Sequence, residues 1–155
     1  MSGLAAIVGA GFLSLPVLAQ DAEECFEHVT GGGWIVGTPS GGSANFGVGG
    51  GVFADGTLWG HLNYVDQDAD LHVVWTAVTS FSKDSSDPDC RLISFDVTIN
   101  GEPGHADVRV CDYGEPGLND TFRIQLSNGY RAEGDLDSDD TGGGNIQLHR
   151  IEDCQ

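Results

Sequence analysis

Hydrophobic residues beyond residue 19 alternate with polar ones in short runs, and glycine, asparagine and aspartate separate these runs. Such alternation is typical of β-strands with one buried face, whereas an amphipathic helix repeats every three to four residues. The pair Asp55-Gly56 lies between two runs and indicates a tight hairpin. We count about nine strands, which predicts an all-β protein folded as an antiparallel two-sheet sandwich, jelly-roll-like in outline.

One predicted hairpin fixes its own register. If Cys90 lies opposite Cys111, then Ile93 lies opposite Val108, and the apolar side chains of both strands share one face. A slip of one residue would separate the cysteines and expose the apolar set. We therefore predict a Cys90–Cys111 disulfide.

The sequence also predicts which side chains lie opposite each other in a second hairpin and which side chains are buried on an earlier strand. A hairpin through Asn128-Gly129 favours a three-residue loop that sets Leu126 against Ala132 and Ile124 against Gly134, with positive φ at the glycine. Upstream, one strand face is predicted to bury Leu71, Val73, Trp75, Ala77 and Phe81.

The first nineteen residues carry no charged side chain and form an apolar run that ends in Val17-Leu18-Ala19. This pattern predicts a secretory signal peptide cleaved after Ala19, although no lysine or arginine precedes the run. The alternative is that residues 1–19 are retained, as an anchor or as a segment that completes a neighbouring subunit's sheet. Residues 20–155 are then a single domain, secreted or at the cell surface.

Composition supports this location. The chain of 155 residues contains four cysteines, an even number that suggests disulfides in an exported protein. With Cys90 and Cys111 paired, Cys25 and Cys154 would tie the two ends together, while the other two pairings stay open. The net charge of −18 argues against nucleic acid and anionic lipid as partners and suits either cations or a salt-rich habitat.

Six short motifs occur in an order that resembles the post-COAP domain, a module of exported bacterial surface proteins that often follows a choice-of-anchor domain. They are VTGGGWI (Val29–Ile35), ANFG (Ala44–Gly47), LNYVD (Leu62–Asp66), DYGEPGLNDTFRI (Asp112–Ile124), NGY (Asn128–Tyr130) and GGGNIQLH (Gly142–His149). The resemblance implies an exported, surface-associated β domain and no particular activity. The absent neighbouring module, the two predicted disulfides and an acidic insert near Asp135–Asp140 depart from the pattern.

Carboxylates crowd the loop before one predicted strand. Asp112, Glu115 and Asp120 could offer oxygens to Ca²⁺, which takes six to eight oxygen ligands. The alternative is a polar turn in which Asp120 caps backbone N–H groups.

Two further runs have carboxylates at alternate positions, as in the first half of a calcium loop, but lack its glycine and its bidentate glutamate. We treat both as candidate Ca²⁺ sites, against solvated loop charge. The residues are Asp66, Asp68 and Asp70 in the first run and Asp135, Asp137 and Asp139 in the second.

Tryptophans give the remaining candidate site. Trp59 follows a hairpin tip and is expected to be the most exposed, and together with Trp34 it could form a sugar-stacking platform. Trp75 is expected in the core. No nucleophile elbow, phosphate loop or dinucleotide fingerprint occurs, and we predict no enzyme.

The leading hypothesis is a non-catalytic module for structure or adhesion, with Ca²⁺ as a stabilising ion and with a surface glycan or another cell-surface protein as partner. The alternatives are a carbohydrate-binding module and a self-assembling filament subunit that uses the N-terminal segment.

Overall fold

The computed structural model describes residues 26–137 and 142–151, and within them nine antiparallel strands form one sheet. The strands are β1 (Glu27–Val36), β2 (Ser43–Val52), β3 (Leu58–Asp66), β4 (Leu71–Asp84), β5 (Asp87–Ile99), β6 (Glu102–Cys111), β7 (Thr121–Leu126), β8 (Arg131–Asp135) and β9 (Gly142–His149). Across the sheet the order is β8-β7-β6-β5-β4-β3-β2-β1-β9. Among the described residues, no helix has the length and apolarity needed to cross a membrane.

The all-β class is confirmed, but the strands form one curved, nearly closed sheet rather than the two packed sheets of a sandwich. Each strand from β1 to β7 pairs with the next one along the chain, and β9 returns to pair with β1, so the chain never crosses to a second sheet. Strands β8 and β9, at the two ends of this order, curl toward each other and make contact. The result resembles a barrel with one seam.

The interior of the barrel is filled by the inward-facing residues of all nine strands. Phe46 on β2 and Phe122 on β7 stack with ring centroids 3.9 Å apart, although four strands separate them in the sheet. Both side chains are buried, and Tyr64 on β3 stacks beside Phe122. The curvature of the sheet therefore converts one alternating face into a common core.

The hairpin of β5 and β6 has the predicted register. Cys90 lies opposite Cys111 and Ile93 opposite Val108, and the Cys90–Cys111 disulfide is present with its Cα atoms 4.1 Å apart. Cys25 and Cys154 lie outside the described residues, so the second disulfide stays a prediction.

The hairpin of β7 and β8 has the predicted loop length but a different register. The Leu126 N–H donates to the Tyr130 carbonyl, so the three loop residues are 127–129, and Gly129 has φ +92°. Ile124 therefore pairs with Ala132, not with Gly134. A shift of two residues keeps every side chain on its predicted face, and it lets the Tyr130 side chain reach the Tyr64 hydroxyl.

The predicted buried face of β4 is wrong at Trp75, although Phe81 at its far end does pack against the core. Leu71 and Val73 are buried, but register shifts follow between Trp75 and Ala77 and between Val78 and Ser80. A β-bulge adds a residue and re-aims the side chains after it. Val78, beyond the first shift, consequently packs against the core, whereas Trp75, which precedes it, is 41% exposed.

A buried ion pair occupies the interior beside the disulfide. Arg91 is 1% exposed, and its Nε and one terminal nitrogen donate to Glu27 Oε1. Its other terminal nitrogen donates to the carbonyls of Pro88 and Cys90, both at 2.8 Å. The guanidinium is thus paired and hydrogen-bonded, which is the condition for burying a charge.

Candidate functional site

The acidic loop between β6 and β7 closes the seam of the barrel. Strand β9 pairs with β1 on one side, and on its free side the N–H groups of Ile146 and Leu148 point toward this loop. Asp120 Oδ2 accepts the Ile146 N–H at 2.8 Å, and Asp112 Oδ2 accepts the Leu148 N–H at 2.8 Å. The two carboxylates therefore take the place of the carbonyls of a neighbouring strand.

Asp120 is the centre of this arrangement. Its side chain is inaccessible to solvent, and its second oxygen accepts the Tyr113 N–H at 2.8 Å. Burial raises the pKa of Asp120, and the two N–H bonds oppose that shift without reversing it. The alternative reading of this loop, a turn in which Asp120 caps backbone N–H groups, is what the structure contains.

Glu115, the third predicted ligand of the loop, lies apart from that buried centre. It is exposed, and its Oε1 accepts bonds from the side-chain amides of Asn145 and Gln147 at 3.3 and 3.2 Å. Within the described ranges no group of three His, Cys, Asp or Glu residues is placed to hold a metal ion. Calcium binding at this loop stays a prediction.

Asp66 belongs to a second buried network, at the end of β3. It has no exposed surface and accepts bonds from the hydroxyls of Ser40 (2.9 Å) and Tyr130 (2.7 Å) and from the Ala69 N–H (3.2 Å). The Tyr130 hydroxyl also meets that of Tyr64 at 2.7 Å.

Hydrogen bonds control the ionisation of this network. Burial would raise the pKa of Asp66, but the hydrogen bonds, first that from Tyr130, together lower it below its usual range. Burial likewise raises the pKa of Tyr130 to about 12. Asp66 is therefore a charged group whose hydrogen bonds connect the end of β3 to the loops that contain Ser40, Ala69 and Tyr130.

The other carboxylates of the two acidic runs do not join Asp66. Asp68 and Asp70 are exposed, and Asp70 has φ +50° in the turn between β3 and β4. Asp135 is exposed at the end of β8 and Asp137 is half-buried, while Asp139 lies outside the described residues. Among the residues that the structure describes, Asp112 and Asp120 are thus brought together, but the members of the two runs are not.

Two of the three tryptophans, Trp59 and Trp75, lie differently from the expectation. Trp34 is 44% exposed and Trp75 is 41% exposed, so these two, not Trp59, are the exposed ones. Trp59 is half-buried on the outer face of β3, where its ring lies against Phe26 with centroids 6.2 Å apart. Sequence alone could not assign this because the ring partners, Phe26 and His28, lie about thirty residues away around the start of β1.

Trp34 lies over bare backbone. Its indole covers Gly143, where a Cβ atom would come within 2.0 Å of the ring. The neighbouring outward positions on β1 and β2 are Gly32 and Gly47, which pair with each other, and no atom would meet a Cβ at Gly47 within 4 Å. An exposed ring therefore borders an open, side-chain-free patch of the sheet.

A groove that the sequence did not reveal runs across the outer face of β4 to β7. It has a volume of about 390 Å³ and is lined mainly by Ser80, Ser82, Leu92, Ser94, Asp107, Arg123 and Gln125. The strand alternation does place Leu92, Ser94 and Asp107 on the outer face. No pattern of residue types indicates that these strands form a concave surface there.

Comparison with known proteins adds no family: the chain matches no protein-family model, no curated protein and no solved structure.

Proposed function

We propose that this chain is a non-catalytic module of the cell surface or extracellular matrix that serves structure or adhesion. The observation that carries the proposal is the use of the buried carboxylates. Asp66 and Asp120 have no exposed surface, and both accept hydrogen bonds from donors that join separate elements. Carboxylates held in this way stabilise a rigid scaffold and cannot approach a substrate.

Several features support a location outside the cytoplasm. The apolar segment 1–19 has the pattern of a signal peptide. The Cys90–Cys111 disulfide is of a kind that persists in oxidising compartments. The likeness of the motifs to the post-COAP domain favours the same location, and a Cys25–Cys154 bond would add a second restraint there.

The test is production of the full chain in a bacterial host with an export pathway, followed by fractionation and intact-mass measurement. We expect an extracytoplasmic product that begins at Gln20 and whose mass is lowered by the formation of disulfides. A full-length, reduced product that stays in the cytoplasm would contradict export. An extracytoplasmic product that retains residues 1–19 would instead favour the filament alternative.

Calcium stabilisation belongs to the same proposal, and it would act through exposed carboxylates such as Asp68, Asp70 and Asp135. We expect millimolar CaCl₂ to raise the unfolding temperature more than MgCl₂ or NaCl of matched ionic strength. Ligand binding to the folded state alone gives about 2.7 kcal/mol at a hundredfold excess over Kd. Equal responses to all three salts would remove calcium from the proposal.

Carbohydrate binding is a second candidate, and the exposed ring of Trp34 favours it. An exposed indole offers a face for sugar C–H groups, and the open patch of Gly32 and Gly47 leaves room for the sugar beside it. The outward amides of Asn45 on β2 and Asn145 on β9 lie on the same part of the sheet and could donate to sugar hydroxyls.

Trp75 provides a matched control because its exposed fraction is nearly the same while its strand pairs elsewhere. Affinity electrophoresis in gels that contain neutral polysaccharides should show retardation of the wild type and of Trp75→Ala, and its loss in Trp34→Ala. Equal mobility of all three proteins in every gel would count against this candidate.

A further inference from the structure

The groove across β4 to β7 contains an arginine without an anionic partner. Arg123 on β7 is half-buried and lies directly opposite Arg109 on β6 and Glu133 on β8. Arg109 is already bound to Asp84 at 2.7 Å, and Glu133 is paired with Arg131 at 3.3 Å. Among the described residues no carboxylate pairs with Arg123.

Two arginines side by side are unexpected in a chain of net charge −18 with only six lysines and arginines. Like charges directly opposed on neighbouring strands destabilise a sheet. A ligand anion between the strands would relieve this, because a guanidinium presents parallel N–H donors that match a carboxylate in a bidentate pair.

The rest of the groove offers neutral polar groups and one apolar surface. Ser80 and Ser82 are exposed on β4, and Ser94 on β5 donates to Asp107 at 2.7 Å. Leu92, between the serines and Arg109, contributes an apolar floor. This combination suits a sugar ring that carries one carboxylate: the guanidinium matches the carboxylate, the serine hydroxyls match the ring hydroxyls, and the apolar floor matches the ring face.

We infer that this groove binds a uronic acid residue of an acidic polysaccharide, with its carboxylate on Arg123 and its hydroxyls toward the serines, Gln125 and Asp107. The volume of about 390 Å³ lies near the lower end of the usual range for ligand pockets, about 300–1,000 Å³, which suits one or two sugar units. The site lies on other strands than Trp34 and does not depend on the proposed function.

The test uses the oxidised protein in 150 mM NaCl, where the long-range repulsion between its negative charge and an anion is screened beyond about 8 Å. Glucuronate and glucose are titrated while backbone amide resonances are followed by NMR. We expect glucuronate to shift resonances of residues 92–94, 107–108 and 123–125 with saturation, and glucose at the same concentrations to shift them far less.

Variants identify the charged contact. Arg123→Gln should weaken glucuronate binding at least tenfold, and Arg123→Lys should lie between it and the wild type because a lysine keeps the charge without the fork. Lys83→Gln is the control, since it removes one positive charge from an exposed side chain outside the groove lining and leaves the Arg131–Glu133 pair in place. Urea unfolding of each variant checks that it is folded.

Three outcomes would overturn the inference: no saturable shifts at the groove, equal binding of glucose and glucuronate, or equal weakening by the Arg123 and Lys83 substitutions. A sulfated sugar that binds better than glucuronate would also overturn it, because the assigned ligand group is a carboxylate.

Discussion

Replacing Asp120 with alanine removes both oxygens that hold the seam between the acidic loop and strand β9. The Ile146 N–H is buried and the Tyr113 N–H is partly buried, and both lose their acceptor. A buried donor left without a partner costs about 1–3 kcal/mol. Removing a desolvated charge offsets part of this loss, since burial raises the pKa of Asp120. We expect the free energy of unfolding to fall by about 2–4 kcal/mol.

Such a loss is a large part of the roughly 5–15 kcal/mol that stabilises a domain. The assay is urea unfolding of the oxidised protein at neutral pH, followed by tryptophan fluorescence. Glu102→Ala is the control because it also removes one negative charge, at an exposed position at the start of β6, and should change stability by less than about 0.5 kcal/mol. Equal small effects of the two substitutions would refute the structural role of Asp120.

The pH dependence gives a second readout for the same residue. Because its pKa is raised in the folded state, Asp120 stabilises the fold most below its unfolded pKa, near pH 4, and this contribution is lost as pH rises through the folded pKa. The stability advantage of the wild type over Asp120→Asn should therefore shrink as pH rises from about 4. An advantage that grows with pH would contradict the direction of the shift.

Three further predictions concern other parts of the barrel. Replacing Cys90 and Cys111 together by alanine should lower stability by about 3 kcal/mol, since the bond closes a loop with a sequence separation of 21; reductant that leaves the wild-type urea midpoint unchanged would disprove this. Glu27→Gln should cost about 3–5 kcal/mol because it leaves the buried Arg91 charge uncompensated, as thermal unfolding can measure; a cost below 1 kcal/mol would argue against the buried pair. The lowered pKa of Asp66 means that its contribution is present above about pH 4 and is lost as pH falls through the folded pKa; Asp66→Asn should flatten the acid limb of the stability–pH curve, and identical limbs in both proteins would refute it.

The sequence by itself determined the local pairing of strands. The register of β5 and β6 follows from one alternating apolar set that also aligns Cys90 with Cys111, so a single shift would have broken two requirements at once. For the β7–β8 hairpin the sequence required only that apolar residues face inward, and two registers that differ by two residues both satisfy this. The observed register allows the Tyr130 hydroxyl to form a hydrogen bond with that of Tyr64, a residue distant in sequence.

Tertiary structure alone decided the shape of the sheet and the use of its charges. Alternation indicates that a strand has a buried face, but a sandwich and a curled single sheet offer the same burial. The bulges of β4 have no residue signature, and the positions beyond them, such as Val78 and Ser80, take the faces that these bulges set. Carboxylates in a turn suit a cation and a backbone N–H equally, and Asp120 caps Ile146 because closure of the barrel brings β9 to that loop.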